Sequence, residues 1–554
     1  MRKQLALFIV LSISLCLASA QADGLSDFYQ PLLNKGILWE EAFSFFSIDE
    51  YGLHGSAAYN EFDSKATYSL LNTQLTFPIL NNLEVTVGLN HSLPAQFKRN
   101  TYTTGGNLST VQRYKIDFFR EYALAARLRN EPFEFFISIL EKNQKTNWTS
   151  LLYPADPSYF SYIRAHYEDF TAGMRFLTSS QDMQSPSALS SYTQPLVNPQ
   201  QALILTQLEY RKGVVRRNTP YYGGANFLYI NFYHRLKEHV TPTIEARFGL
   251  LRQLELESGI SFTSPFEYTY EYKDEDITGI TQLYGEYSID NNFNIPLKLR
   301  WRPQENLELA LFSSCTFMNQ ELEYWSKTAA GVRTDYSNRG LSYQNYRPGL
   351  ELSYLFDQKK QVLNDEFSQV TKKLLRKGQV FAHARYYRDI TSLDKSETNG
   401  PQNVIDPYNV FQYPLDYFVA GTEFATYFLG NSSASAAEVK PQNYHFIQAG
   451  LTYGLTDKIN LGCKAGYRSG SHLHHFAIGD PRSAFSLRTR FYKFKPFYFF
   501  DLTTDMRLTP TSLISLAWHY VPEYTTIMQI QGRPKEFRAD DSYYSLTAQL
   551  KILF

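Results

Sequence analysis

The chain has 554 residues, with 54 Lys+Arg against 54 Asp+Glu, a formal net charge of zero and a pI near 7.2. That balance excludes a polybasic nucleic-acid binder, which needs a cationic surplus to displace counterions. A hydrophobic share of 43% excludes an acidic disordered chain.

Taken from the start, residues 1–20 read as an export signal. Arg2 and Lys3 precede an apolar run from Leu5 to Leu17, and Ala18-Ser19-Ala20 supplies the small residues of a cleavage site. The run is too short to span a bilayer as a helix, which takes about 20 residues. Cys16 suggests lipidation, but the bulky Leu15 before it favours ordinary secretion. Cleavage after Ala20 leaves Cys315 and Cys463, too few for a disulfide-built fold of this size. Residues 21–50 are expected to form a periplasmic or lumenal segment, with Leu25, Phe28, Leu32 and Leu33 packing inside. Residues 51–554 carry the strands.

The 42 Tyr, 41 Phe and 5 Trp favour pleated, half-exposed surfaces. The recurring phrase is an alternating segment after a short polar turn. Leu83, Val85, Val87 and Leu89 alternate with Glu84, Thr86, Gly88 and Asn90. Leu307, Leu309 and Leu311 alternate with Glu308 and Ala310. Ile459, Leu461 and Cys463 alternate with Asn460, Gly462 and Lys464, and Ile514, Leu516, Trp518 and Tyr520 with Ser515, Ala517 and His519. A period of two puts each set on its own face of a strand. Trp301, Tyr354, Tyr453 and Tyr520 stand toward strand ends, where membrane girdles sit. Connections fall into two kinds. Short ones lie at Pro78–Asn82, Arg129–Pro132, Leu251–Gln253, Arg302–Asn306, Thr456–Lys458 and Thr509–Thr511. Long polar ones lie at His91–Gln112, Asn319–Leu341 and Val521–Asp541.

At the C-terminus Tyr544, Leu546, Ala548, Leu550, Ile552 and Phe554 alternate with Ser545, Thr547, Gln549 and Lys551. This resembles the terminal strand of the bacterial outer-membrane β-barrel superfamily. The resemblance implies an outer-membrane location and an all-β antiparallel up-and-down barrel with short periplasmic turns and long extracellular loops. It also implies outer-membrane lipid as surroundings and the barrel-insertion machinery as a partner that reads the strand ending at Phe554. Closure follows from the solvent, because lipid cannot hydrogen-bond an exposed sheet edge.

Counting back from the C-terminus, six short turns and two longer connections, at 178–201 and 357–378, give about 18 strands, within a range of 16–20. The 357–378 insert reads as a short periplasmic helix: Val362, Leu363, Phe367, Val370 and Leu374 form one stripe, basic residues come late, and Gly378 stops it.

Alternation assigns an inward, pore-lining set. Glu84, Arg127, Arg129 and Glu134 come first, then Glu245, Arg247, Glu255 and Glu257. Lys298, Arg300, Arg302, Glu308 and Glu351 follow, then Arg385, Lys464, Arg488, Arg490, Arg507 and Lys551. Charges of both signs on one interior imply a hydrated lumen, since unpaired ions in a dry core cost several kcal/mol each. They either pair across strands and stiffen the wall, at about 0.2–1 kcal/mol per pair, or set a transverse field on passing solutes. Tyr492, Phe494 and Tyr498 are assigned inward beside Arg488 and Arg490, an arrangement suited to sugar rings or amphipathic anions. His472, His474, His475 and Asp480 sit at poor metal-ligand spacing, so neither a metal nor a cofactor is expected.

The expected function is a porin-like channel for small polar or charged solutes, homo-oligomeric by analogy with porins and without nucleic acid. The alternative is a polysaccharide-export or surface-anchoring barrel working with periplasmic partners. A hydrolase is disfavoured: Ser515 and His519 share a phase but lie about 13 Å apart along one strand.

Overall fold

Alternating apolar and polar residues, with aromatic and β-branched side chains in excess, commit nearly all of the chain described to strand. The computed structural model describes residues 33, 36–54, 60–102, 108–152, 159–178, 183–184, 189, 193–223, 226–276, 279–327, 332–356, 374–397, 436–478, 490–530 and 536–554. The wall begins with β1 (Leu38–His54), β2 (Asn60–Leu80), β3 (Leu83–Ser92 and Ala95–Tyr102), β4 (Leu108–Asn130), β5 (Phe133–Leu152) and β6 (Tyr159–Leu177). It continues with β7 (Ala202–Gly223), β8 (Asn226–Leu251), β9 (Leu254–Thr263 and Phe266–Asp276), β10 (Gly279–Gln304), β11 (Leu307–Lys327) and β12 (Arg333–Tyr346 and Gly349–Phe356). The last six are β13 (Val380–Glu397), β14 (Ala436–Thr456), β15 (Ile459–Arg468 and Ser471–Ile478), β16 (Arg490–Phe494 and Phe497–Thr509), β17 (Ser512–Ile530) and β18 (Glu536–Leu553).

Five of these staves are interrupted by a dipeptide, and four of the five dipeptides end in proline: Pro94, Pro265, Pro348 and Pro496. Proline has no N–H to give the ladder, so the hydrogen-bond pattern lapses there. The residue before it still donates across: Leu93 to Ser69, Ser264 to Val240, Arg347 to Ser314 and Lys495 to Thr525, at 2.8–3.0 Å. Register with a neighbour runs on unchanged. On β12, Gly349 faces Phe312 and Tyr346 faces Cys315, and on β16, Phe497 faces Arg468 and Phe494 faces Ser471.

Every stave pairs antiparallel with its chain neighbours, and β1 pairs with β18 from Leu38↔Leu553 to Gly52↔Ala539. The sheet is a closed barrel of 18 strands, as the turn count predicts. At one end lie two-residue turns at 81–82, 131–132, 252–253, 305–306, 457–458 and 510–511. The two longer connections emerge at that same end.

The barrel's outward face is apolar. Leu124, Ile137, Leu297, Leu311, Leu451, Leu502 and Leu546 are all exposed, which is the reverse of a soluble fold. Aromatic pairs mark both borders of this band. Near the short turns, Trp39 stacks on Phe554, Phe133 meets Phe176, and Tyr354 meets Phe356. Higher up come Phe262 with Phe293, Phe317 with Tyr346, Tyr467 with Tyr498, and Trp518 with Tyr520. The eight steps from Trp301 to Phe293 on one tilted stave amount to roughly 20 Å of height, comparable with the apolar band of membrane barrels.

Three expectations change. The first stave starts at Leu38, not at 51; its alternation is hidden because Glu41 stands on the outer phase, accepting hydrogen bonds from Trp39 Nε1 (3.2 Å) and Thr73 Oγ1 (2.9 Å). Much of the predicted long loops at 91–112, 319–341 and 521–541 is strand that continues above the apolar band, where both faces are polar and alternation fades. The helix predicted over 357–378 falls mostly outside the described residues. Residues 374–379 form a turn in which Gly378 has φ +84°. No α-helix occurs among the described residues.

Candidate functional site inside the barrel

The interior is built in two tiers. At the short-turn end the 178–201 connection folds inward and runs along β8–β11. Its passage over the wall depends on Gly249: a Cβ there would sit 2.0 Å from the Asn198 carbonyl oxygen. The Gln200 N–H donates to the Gly249 carbonyl at 2.6 Å, and the Gly249 N–H donates to Gln201 at 3.0 Å. Leu177, Val197, Leu203 and Leu205 bury one another beneath this strap, with Met183 packed against them.

Five of the predicted inward charges grip the strap. Arg247 donates to Glu255 through Nε at 2.9 Å and to the Pro195 carbonyl through Nη2 at 2.5 Å. Arg300 joins Glu255 (2.9 Å) and Glu308 (3.0 Å) and donates to the Gln194 carbonyl at 2.6 Å. Arg302 donates to Glu308 (2.5 Å) and to Thr193 Oγ1 (2.9 Å). The Val197 N–H closes the set by donating to Glu255 Oε2 at 2.6 Å. All five charged residues are buried. At this level the ions are compensated by one another and by strap peptide groups, and not by the hydrated lumen the sequence implies. The inward-folded strap is the reason. A charge-assisted bond to a carbonyl in such surroundings is worth about 1.5–3 kcal/mol.

A second strap follows the same construction. Gly454 leaves room for residues 374–379, since a Cβ there would lie 2.0 Å from the Arg376 carbonyl. The Gly378 N–H donates to Gly454 at 2.8 Å, and Gly454 returns the bond to Gln379 at 2.9 Å. Leu375 of this strap meets Leu189 of the first and Leu355 of β12 in one buried cluster. Gly249→Ala and Gly454→Ala should each cost about 1–3 kcal/mol by forcing a strap off the wall. Urea unfolding of the detergent-folded barrel measures this, and an unchanged midpoint would refute the close approach.

Farther round the same interior, on β4–β6, Glu134 is fully buried among Arg127 (3.2 Å), Arg129 (2.5 Å) and Arg175 (2.9 Å). Arg127 also reaches Glu84 (3.2 Å), and Glu84 accepts the N–H of buried Leu33 at 2.9 Å. Glu245 leans over Gly259, and Glu257 stands in register between Arg247 and Lys298.

Higher in the barrel the interior changes character. One register row crosses six staves as Phe312, Gly349, Tyr387, Phe446, Arg468 and Phe497. Tyr387, Phe446 and Phe499 stack successively at 4.8 and 5.8 Å, and Arg468 lies 4.1 Å from the ring centre of Tyr444. Arg347 donates to the fully buried Asp389 at 2.6 Å. Below this row, Glu351 holds both Lys298 (2.6 Å) and Arg385 (3.2 Å), while Asp501 holds Lys464 (2.6 Å) and His519. Lys551 pairs with Glu40 across the seam.

The aromatic assignment on β16 is corrected. Tyr498 faces outward, and the inward rings are Phe497 and Phe499. Above the apolar band polarity no longer separates the faces, so the charge pattern does not fix the phase of Tyr498. Arg490 carries the phase of Tyr498 in an unbroken register from Phe500↔Tyr520 to Arg490↔Ile530. Arg488 and Asp480 lie outside the described residues; His472, His474 and His475 are on the strand segment Ser471–Ile478 and not in a loop. Arg175, Arg347, Asp389, Arg468 and Asp501 belong to the interior but escaped the sequence reading; Arg175 and Asp501 carried the alternation that would have found them. Ser515 donates to Asp505 (2.6 Å) while His519 pairs with Asp501, so serine and imidazole engage separate carboxylates.

No protein-family model matches the chain, and no curated protein matches it. Among solved structures it is similar to the alcaligin outer-membrane receptor FauA of Bordetella pertussis, at 9% identity and TM-score 0.39, over 94% of this chain and 76% of that one. It is also similar to the ferric citrate transporter FecA, at 9% identity and TM-score 0.36, over 92% and 78%. The Pseudomonas putida toluene transporter TodX matches at 9% identity and TM-score 0.28, over 94% and 91%. An even number of antiparallel staves, short turns at one end and an apolar outer band with aromatic borders are features this barrel shares with outer-membrane β-barrels.

Proposed function

We propose that the barrel carries small polar or charged solutes across the outer membrane through its interior. The observation that supports this most strongly is the partial exposure of Lys298, Arg385, Lys464 and His519 within the wall, above the straps. Ionic groups left half-uncovered inside a barrel need water around them, because a dry interior penalises each by several kcal/mol. A wall of 18 strands is wide enough to enclose that water. The two straps then narrow the path at the short-turn end, on the periplasmic side in this orientation, and the terminal strand offers Phe554 to the insertion machinery.

The test is electrical. Purified, folded protein in a planar bilayer is expected to give ohmic conductance steps. Persistent silence from protein that shows the heat-modifiable mobility of a closed barrel would sink the reading.

A further inference from the structure

Arg385 and Lys464 flank β14 at a level where that stave offers almost nothing. Across β14 the inward residues are Gln448, in register with Arg385, and Gly450, in register with Lys464 and His383. Gly450 has no side chain, so the backbone there is bare beside the Lys464 stem. Beside it, Gly466 has the Phe499 ring where its own side chain would be. The outcome is a recess about two strand spacings wide, ~10 Å, with a long cationic side chain on each bank.

Each bank is arranged to push its cation forward. Arg385 is 40% exposed while its carboxylate partner Glu351 is 18% exposed, and Lys464 is 39% exposed against 14% for Asp501. Each carboxylate is also shared, Glu351 with Lys298 and Asp501 with His519, so neither is devoted to the cation that faces the recess. Glu257, in register with Lys298, is the other acid near this arc. Rings support both cations from behind: Arg385 lies 4.9 Å from the Phe312 centre and 5.5 Å from Tyr387, and Lys464 lies 5.8 Å from Phe499. Tyr387 and Phe499 are themselves buried, so they steady the cations and present little ring surface to a solute.

We propose that the recess over Gly450, between Arg385 and Lys464, is a binding station for small hydrophilic carboxylates, and that it makes the barrel anion-selective. This rests on the transport reading above. The planar guanidinium of Arg385 suits a carboxylate fork, Lys464 adds a point charge from the far bank, and the Gln448 amide lies on the floor between them.

The experiment has two arms, so that the station and the transport reading fail separately. Calorimetric titration of the detergent-folded barrel with gluconate is expected to saturate, with affinity reduced about 10-fold in Arg385→Gln/Lys464→Gln and kept in Arg385→Lys/Lys464→Arg, which preserves the charge. In bilayers under a KCl gradient, the reversal potential is expected to report chloride over potassium, with the preference reduced about 10-fold in the Gln pair. Saturable gluconate binding by an electrically silent barrel would uphold the station and overturn the transport reading. A conducting barrel that prefers potassium, or a Gln pair with wild-type affinity and selectivity, would overturn the station. Tighter binding of inorganic phosphate than of gluconate would overturn the carboxylate assignment. Should the Gln pair not fold, wild-type titration and reversal potential decide alone.

Discussion

Arg300→Ala should enlarge the conductance step, by roughly two-fold, and expose the 178–201 connection to protease while leaving the barrel closed. Arg300 bridges two carboxylates and the strap: Glu255, Glu308 and the Gln194 carbonyl. Removing it leaves Glu255 with Arg247 and Glu308 with Arg302, so no carboxylate is stranded, but the Gln194 carbonyl loses the shorter of its two arginine clamps. The bond lost from the strap is a charge-assisted one to a main-chain carbonyl, worth about 1.5–3 kcal/mol. The wall itself is held by the β9–β10 and β10–β11 ladders, which that substitution does not touch. The cost therefore falls on the strap. Limited proteolysis and single-channel recording read the two consequences independently. An unchanged step with an unchanged cleavage pattern would show that the strap is anchored elsewhere.

The second large effect concerns the outside of the wall. Ile137 is exposed near the middle of the apolar band, and its chain neighbour Ser138 is turned inward. Ile137→Arg should destabilise the membrane-inserted barrel by about 2–4 kcal/mol, whereas Ser138→Arg should cost little because the interior is polar. Reversible unfolding in lipid vesicles measures both. Equal costs for the pair would contradict the assignment of faces, and with it the membrane orientation of every stave.

Much of this architecture was open to sequence reading because lipid imposes a severe rule. Each stave must show oil outward and ladder its peptide groups, so Leu83 to Leu89, Leu307 to Leu311 and Tyr544 to Phe554 announce their faces directly. The short turns were equally plain, since two-residue connections leave little choice of boundary. The rule lapses in three places. Glu41 interrupts the outer phase of β1, and its hydrogen bonds to Trp39 and Thr73 are invisible until the fold brings them together. Above the apolar band both faces meet water, so the phase of β16 could not be read from polarity. The grip on the strap was illegible because Gln194 and Pro195 take part through main-chain carbonyls, which every residue possesses. The only written clue was a run of apolar residues, Leu189, Leu196 and Val197, in a connection otherwise polar. The charged set itself was largely found, but not its division into a dry tier that holds a strap and a wetter one that faces the path.

The seam has a consequence in time. Phe554 and Ile37 exchange hydrogen bonds in both directions, so the ring is sealed where the closing stave, the last in chain order, meets the first. A nascent chain stopped even one stave early would carry two raw borders that no lipid tolerates and no sister stave could cover. Such a fragment has no half-built resting form in the membrane, which makes synthesis of the closing stave the checkpoint for assembly.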